Sequence, residues 1–185
     1  VLILSTPRLL LRPVWPEDAP GFVRAISFEV ARNTARMPWP YTLECAATFC
    51  ALPAWPDAPL DSARAAIARK GSGTLIGGIG FGRNIQNGAL EIGYWLARDA
   101  WGQGYATEAG RAWVDAAFEL FALDCLDSGH FRDNPASARV LAKLGFEPTG
   151  EVQANYPALA RGGTTSAAIV RLTRARWAAA RRTCS

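Results

Sequence analysis

The sequence predicts a mixed α/β fold, and three local patterns carry that prediction. "ALEIGYWLA" (89–97), an apolar-periodic stretch over 104–121 and "DCLDSGHF" (124–131) read as strand, helix and strand. A β-α-β unit of that kind places its two strands parallel. "TLIGGIGFG" (74–82) and strand 89–97 flank Asn87-Gly88. Both positions tolerate positive φ, so this dipeptide predicts a tight hairpin and an antiparallel pair. "NPASARVLAKLG" (134–145) predicts a helix with Asn134 as N-cap, Pro135 at the first helical position and Gly145 as terminator.

The remaining elements follow in chain order. "RLLLRPV" (8–14) reads as a strand, and "PEDAPGFVRAI" (16–26) opens a helix with acidic residues. After "MPWPYT" a short helix is expected from about Thr42 to Cys50, and "PAWPDAP" (53–59) reads as a loop. "SARAAIARK" (62–70) is read as a strand, although its alanines suit a helix as well. Helix 104–121 is carried by Ala109, Ala112, Trp113, Ala116, Ala117, Leu120 and Phe121. "FEPTGEV" (146–152) and "TTSAAIVRL" (164–172) close the chain as strands, and the arginine-rich tail reads as a solvated helix end.

The 185 residues suit one domain, 1–185, and half of them are hydrophobic, enough for a sizeable core. No run of about 18 apolar residues is present, so no membrane span is expected. The N-terminal stretch lacks the charged head and cleavage site of a signal peptide, so a cytoplasmic location is expected. Cys45, Cys50, Cys125 and Cys184 form no C-x-x-C pair, and with His130 as the one histidine no metal site is expected. The net charge of +4 comes from eighteen arginines and two lysines that form no basic stripe. Nucleic acid is therefore not an expected partner, whereas an anionic small molecule suits the field.

"WGQGYATEAG" (101–110) places two glycines directly before a helix. A helix N-terminus offers unpaired N–H groups and about half a positive charge, and glycines let the backbone curl around an anion. The Walker pattern is excluded because no lysine follows either glycine. The dinucleotide fingerprint is excluded because Thr107 stands where its third glycine belongs. Local physics leaves two readings open, an anion-binding loop or a plain strand-to-helix turn.

The blocks "EIGYWLARDAWGQGYATEAGRAWVDAAFE" and "HFRDNPASARVLAKLGFEPTGE" resemble the GCN5-related N-acetyltransferase (GNAT) superfamily. The branch they resemble includes the bacterial ribosomal-protein N-terminal acetyltransferases, and "STPRLLLRP" and "TARMPWPYT" are similar to its earlier segments. The resemblance implies a mostly antiparallel twisted sheet with one parallel, splayed strand pair, flanked by helices. It implies acetyl-CoA as co-substrate, no metal, and a glycine loop that holds the pyrophosphate. The loop pattern Q/R-x-x-G-x-G/A falls on Trp101, Gly102, Gln103, Gly104, Tyr105 and Ala106, with Trp101 a departure at the first position, and Thr107 follows. The strand near Tyr94, Trp95, Leu96 and Ala97 is expected to bulge and offer backbone groups to the pantetheine arm. Asn134 and Ser137 match positions that contact the cofactor, although a helix cap accounts for Asn134 equally well.

Acetyl transfer to an amine requires a neutral nucleophile, and α-amines and lysines are protonated up to about pH 8 and 10.4. Glu91, set between apolar Leu90 and Ile92, is the candidate base, because burial raises a carboxylate's pKa. A structural salt bridge is the other reading. The tyrosine that many members place before the Gly-Phe pair is Leu141 here, so Ser137 or Tyr105 stands in as candidate acid. His130 is a secondary candidate base, and Cys125 is expected in the core. Met37, Trp39, Tyr41 and Tyr156 are candidate walls of the acceptor site. The expected activity is direct acetyl transfer to a primary amine, carried out by a monomer or homodimer. A peptide or protein N-terminal α-amine leads on the resemblance, with a small-molecule amine or a non-catalytic acyl-CoA-binding module as alternatives.

Overall fold

The strands of this chain assemble into one eight-stranded sheet in the computed structural model, which describes residues 3–52, 59–84 and 86–182. They are β1 (Leu4–Ser5), β2 (Leu9–Arg12), β3 (Arg64–Arg69), β4 (Leu75–Arg83), β5 (Leu90–Leu96), β6 (Cys125–Phe131), β7 (Glu147–Ala158) and β8 (Gly163–Thr173). Their spatial order is β1-β2-β3-β4-β5-β6-β8-β7, and every neighbouring pair is antiparallel except β5 and β6. The helices are α1 (Ala19–Ala25), α2 (Phe28–Ala31), α3 (Leu43–Ala51), α4 (Tyr105–Leu120), α5 (Pro135–Lys143) and α6 (Arg174–Arg182).

Two helical layers sandwich the sheet. On one face Trp113, Val114, Ala117 and Phe118 of α4 and Leu141 of α5 pack on Leu9, Leu11, Ile67, Ile79, Ile92 and Leu96. On the other, Phe22, Val30, Ala46 and Cys50 of α1–α3 pack on Val14 and Ala66, with Trp95 against them. Strand β3 therefore lies under helices on both sides, and all four residues from Ala65 to Ala68 are buried. Burial on both faces turns an alanine-rich run into a strand despite its helix propensity.

Several boundaries differ from the sequence reading. Pro13, which has no N–H for a ladder, cuts the expected strand 8–14 to β2. The helix expected from Pro16 begins as a 3-10 turn, Pro16–Asp18, before α1. The elements β1 and α2 had no sequence signal. The hairpin is longer than a two-residue turn: Asn84 N–H donates to the Ala89 carbonyl and Gly88 N–H to the Asn84 carbonyl. Only Gly88 in the described part of that turn has a positive φ, +72°. The loop 53–59 lies, apart from Pro59, outside the described residues. The tail is not simply solvated, because Trp177 of α6 stacks on Phe118 at 5.1 Å and donates to Asp115 at 2.7 Å.

The parallel pair is where the sheet opens. Strands β5 and β6 share a single registered pair, Glu91 and Asp127, while β6 pairs with β8 along its whole length. Just past that point Ser128 Oγ donates to the Ile92 carbonyl at 2.9 Å, tying the two strands where they part. Asp127 is held from the other side by Arg171, whose guanidinium forms two bonds of 2.6 and 2.8 Å to its carboxylate. Strand β6 thus stays with β8, and a wedge opens between β5 and β6 toward their carboxyl ends. The expected bulge is missing, since β5 runs against β4 from Leu90 to Leu96 without a register shift.

Candidate active site

Pairing along β5 determines which backbone groups face the wedge. The bonds at the two ends of the β4–β5 ladder join Ala97 to Ile76 and Asn84 to Ala89. Both fit the alternation that turns Glu91, Gly93 and Trp95 toward β4 and Ile92, Tyr94 and Leu96 toward the wedge. Trp95 and Ala97, expected to offer backbone groups to the cofactor, therefore spend them on β4. The open positions are Tyr94 and Leu96. The Leu96 carbonyl is itself occupied, accepting a bond of 2.8 Å from the Trp101 indole. That bond gives the atypical Trp101 a purpose: it staples the glycine loop to the strand end.

At the mouth of the wedge, Gly102 and Gly104 adopt φ of +73° and +81°, the left-handed region that glycine tolerates. Their curl leads into α4, whose first internal bond runs from Glu108 N–H to the Gly104 carbonyl. Among the described residues the N–H groups of Gly102, Gln103, Gly104, Tyr105, Ala106 and Thr107 meet no acceptor. Six successive open donors at a helix N-terminus fit a pyrophosphate. Gln103 is anchored at both ends, its side chain donating to the Asp99 carbonyl and its own carbonyl accepting from Arg8. Arg8 also binds Glu108 through Nε at 2.6 Å and lies over the Tyr105 ring at 4.4 Å. Burial works against the Glu108 charge, but hydrogen bonds from Thr6 and Arg8 outweigh it and hold the carboxyl below its usual range.

At the apex, Glu91 is 9% exposed and faces a small pocket lined with Ala35, Arg36, Asn84, Gln153, Tyr156 and Pro157. Asn84 Nδ2 donates to Glu91 Oε1 at 2.7 Å, and the Tyr156 hydroxyl donates to Oε2 at 2.8 Å. Burial raises the Glu91 pKa above the ordinary carboxyl value; the bonds from Asn84 and Tyr156 and the Arg36 charge pull the other way, and Asp127 adds to the rise. Burial and then the Glu91 charge push the Tyr156 phenol up, so it stays a donor. Gly129 on β6 makes room for this ring, since a Cβ there would stand 2.8 Å from Tyr156 Cζ. Asn84 is locked in turn: its amide also donates to Gln153 Oε1, and its Oδ1 accepts from the N–H groups of Gln86 and Asn87. Glu91 is thus no salt bridge but a desolvated carboxylate oriented by two neutral donors.

Ser137 lies on the other side of the wedge. Asn134 caps α5 through Oδ1 to Ser137 N–H at 3.2 Å, and Ser137 Oγ stands 3.0 Å from the Tyr94 hydroxyl. Burial pushes the Tyr94 phenol up to about 12. Leu141 is fully buried in the core, so this hydroxyl pair is what the α5 side offers in its place. Tyr105, the other candidate acid, is held in the Arg8 contact. His130 lies on β6 with Nδ1 3.2 Å from the Phe131 carbonyl, and Cys125 is half-buried.

Of the four expected acceptor walls only Tyr156 reaches the pocket. Met37 and Tyr41 pack on the α1–α3 core, where burial pushes the Tyr41 phenol up to about 12. Trp39 is exposed, its ring 5.7 Å from that of Phe28. Sequence reasoning missed Asn84, Gln153, Arg36 and the Tyr94 hydroxyl. Asn84 was visible only as a turn residue in "RNIQNG"; the other three carried no local signal. No group of three or more His, Cys, Asp or Glu arranged to hold a metal occurs among the described residues.

The family model described as "Acetyltransferase (GNAT) domain" matches residues 8–147, well over half of the chain. The chain belongs to the GNAT acetyltransferase family. As a GNAT enzyme it is an acetyl-CoA-dependent acetyltransferase. It is similar to the uncharacterized N-acetyltransferase YoaA of Bacillus subtilis (strain 168), 31% identical over 80% of this chain and 84% of the relative. Its fold is also that of the ribosomal-protein-S5-alanine acetyltransferase from Vibrio fischeri, with a TM-score of 0.75 and 17% identity over 96% and 99% of the two chains. The microcin C7 self-immunity acetyltransferase MccE, solved in complex with acetyl-CoA and AMP, shares it at TM-score 0.72 and 16% identity over 90% and 93%. At those identities the two structures speak for the fold alone.

Proposed function

We propose that this GNAT enzyme transfers acetyl directly from acetyl-CoA to a primary α-amine, with Glu91 as general base. The observation that carries the reading is the oriented, desolvated carboxylate at the apex of the wedge. The loop 102–107 holds the pyrophosphate at the mouth, and Tyr94 and Leu96 offer wedge-facing backbone groups to the pantetheine amides. From Glu91 to Leu96 the strand covers about 17 Å, five steps of roughly 3.3 Å.

Glu91 takes the proton of the acceptor ammonium on a carboxylate lone pair that Asn84 and Tyr156 leave free. The amine nitrogen then forms the C–N bond at the thioester carbonyl as the C–S bond breaks. The departing thiolate, near the ordinary thiol pKa of about 8.5, leaves readily at neutral pH. The Ser137–Tyr94 hydroxyl pair on the α5 side relays to it the second proton, which the new amide nitrogen sheds, so both hydroxyls end neutral.

A peptide or protein N-terminus is one acceptor that fits, supported by the branch resemblance and by the name of the Vibrio fischeri neighbour. A small amine is the second, favoured by the compact lining of the Glu91 pocket. Thiol release from acetyl-CoA across a panel of peptides and small amines tests the reading. Glu91→Gln is expected to lower kcat by about 10²- to 10⁴-fold while acetyl-CoA affinity by calorimetry stays unchanged. Undiminished turnover in that variant removes Glu91 as the base.

A further inference from the structure

The pocket in front of Glu91 is lined by one cation, Arg36. Its guanidinium lies over Gly82, where a Cβ would meet Nη1 at 3.4 Å. Gly82 is the residue paired across the ladder with Glu91, so the Arg36 guanidinium lies on the sheet face that carries the Glu91 carboxylate, over the position opposite it. They nevertheless form no ion pair within 4 Å. Each is held apart by a neutral partner: Asn84 and Tyr156 hold the carboxylate, while Arg36 Nη2 donates to the Arg83 carbonyl at 2.5 Å. No other bond of Arg36 is present among the described residues, so most of its five donors meet no protein acceptor at the pocket's edge.

A cation and an anion set side by side without closing on each other are complementary to a ligand with both charges in short separation. From this geometry we infer that the acceptor is a primary amine bearing a nearby carboxylate, which Arg36 binds while Glu91 receives the amine. The inference rests on the acetyl-transfer reading of the same site. Guanidinium binds carboxylate through two parallel N–H···O bonds, which fixes orientation as well as position. Arg36 thereby aims the amine at Glu91. A polyamine has no group for Arg36 and meets its charge as repulsion. The required chemistry has two sources, a free amino acid or a peptide whose first side chain is acidic.

The experiment is thiol release from acetyl-CoA with the full chain, comparing L-alanine with L-alanine amide, and a glutamate-first with an alanine-first peptide amide. The carboxylate-bearing member of at least one pair is expected to exceed its neutral partner in kcat/KM by about tenfold or more, the worth of one charge-assisted bond. The pair that shows the preference names the source. In Arg36→Gln that preference is expected to vanish through a rise in KM for the carboxylate-bearing acceptors, on top of a smaller loss shared by all amines as Glu91 loses a neighbouring positive charge, and Arg36→Lys restores part of both. Thermal unfolding of both variants checks that they fold. Neutral acceptors working as well as their carboxylate-bearing partners overturn the inference. So does an Arg36→Gln loss that is equal for all amines and leaves the carboxylate preference in place, because Arg36 then only tunes Glu91. Absence of release with every amine defeats the acetyl-transfer reading itself, a different outcome from release without preference.

Discussion

The contact between Tyr156 and Glu91 offers the sharpest test of how this site works. Tyr156→Phe removes one oxygen atom and keeps the ring that packs beside Phe131 and over Gly129. The lost bond is a 2.8 Å donation to a carboxylate, with both residues under a tenth exposed. Hydrogen bonds to charged groups contribute about 1.5–3 kcal/mol, and the bond exists for the ionised form of Glu91 far more than for the protonated one. Its loss therefore disfavours the carboxylate by a factor of about 10 to 100, each 1.4 kcal/mol being tenfold. Burial already raises the Glu91 pKa, and this bond opposes that rise, so the variant shifts it further upward. The measurement is kcat/KM against pH by thiol release at saturating acetyl-CoA. The acidic limb is expected to move to higher pH, with rates on it about tenfold or more below those of the parent, and the two profiles are expected to converge at alkaline pH. A uniform drop at every pH, with the limb unmoved, refutes the assignment of Tyr156 as the donor that holds the base ionised.

Other perturbations probe the frame around that contact. Because the folded-state pKa of Glu91 is raised, its contribution to stability is fully present below the ordinary value of 4.5 and is lost as pH climbs through the raised one. Glu91→Gln is accordingly expected to gain in melting temperature relative to the parent as pH rises across that window, and a gap independent of pH contradicts this. At Gly104 a Cβ would meet Arg8 Nη2 at an ordinary 3.5 Å, so Gly104→Ala is penalised through its φ of +81° rather than by a clash. It is expected to cost about 1–2 kcal/mol of stability and to weaken acetyl-CoA binding by about tenfold or more in calorimetry. Unchanged affinity removes the loop from the pyrophosphate site. Asp127→Asn gives up the two-bond pairing with Arg171 at the root of the wedge. With the arginine side chain 47% exposed, the expected loss in chemical denaturation is about 1.5–3 kcal/mol rather than that of a fully buried pair.

What could be read from the chain depended on how local each cause was. The cap at Asn134, the helix stop at Gly145 and the curl at Gly102 and Gly104 follow from backbone preferences of single residues, and the structure has all of them. The Glu91 reading rested on one charge amid apolar neighbours, a pattern visible without any fold. The strand at Arg64–Arg69 was ambiguous because alanine favours helices, and only burial between two helical layers decided it. The hairpin was legible as a turn, but its length was not, because Asn84 closes it while also serving Glu91.

By itself the sequence determined the order of the elements, the parallel pair, the glycine loop before α4 and the presence of a carboxylate on β5. Tertiary structure alone decided what that carboxylate meets. Asn84 comes from the β4–β5 turn, Gln153 and Tyr156 from the distant strand β7, and Arg36 from the loop between α2 and α3, and no spacing along the chain links them. They converge because β6 follows β8 and leaves β5 at Asp127, a choice made by sheet pairing and the Arg171 ion pair rather than by local propensity. Residues brought together by a divergence of strands leave no periodic trace, since the cause is the competition between two partners for one edge.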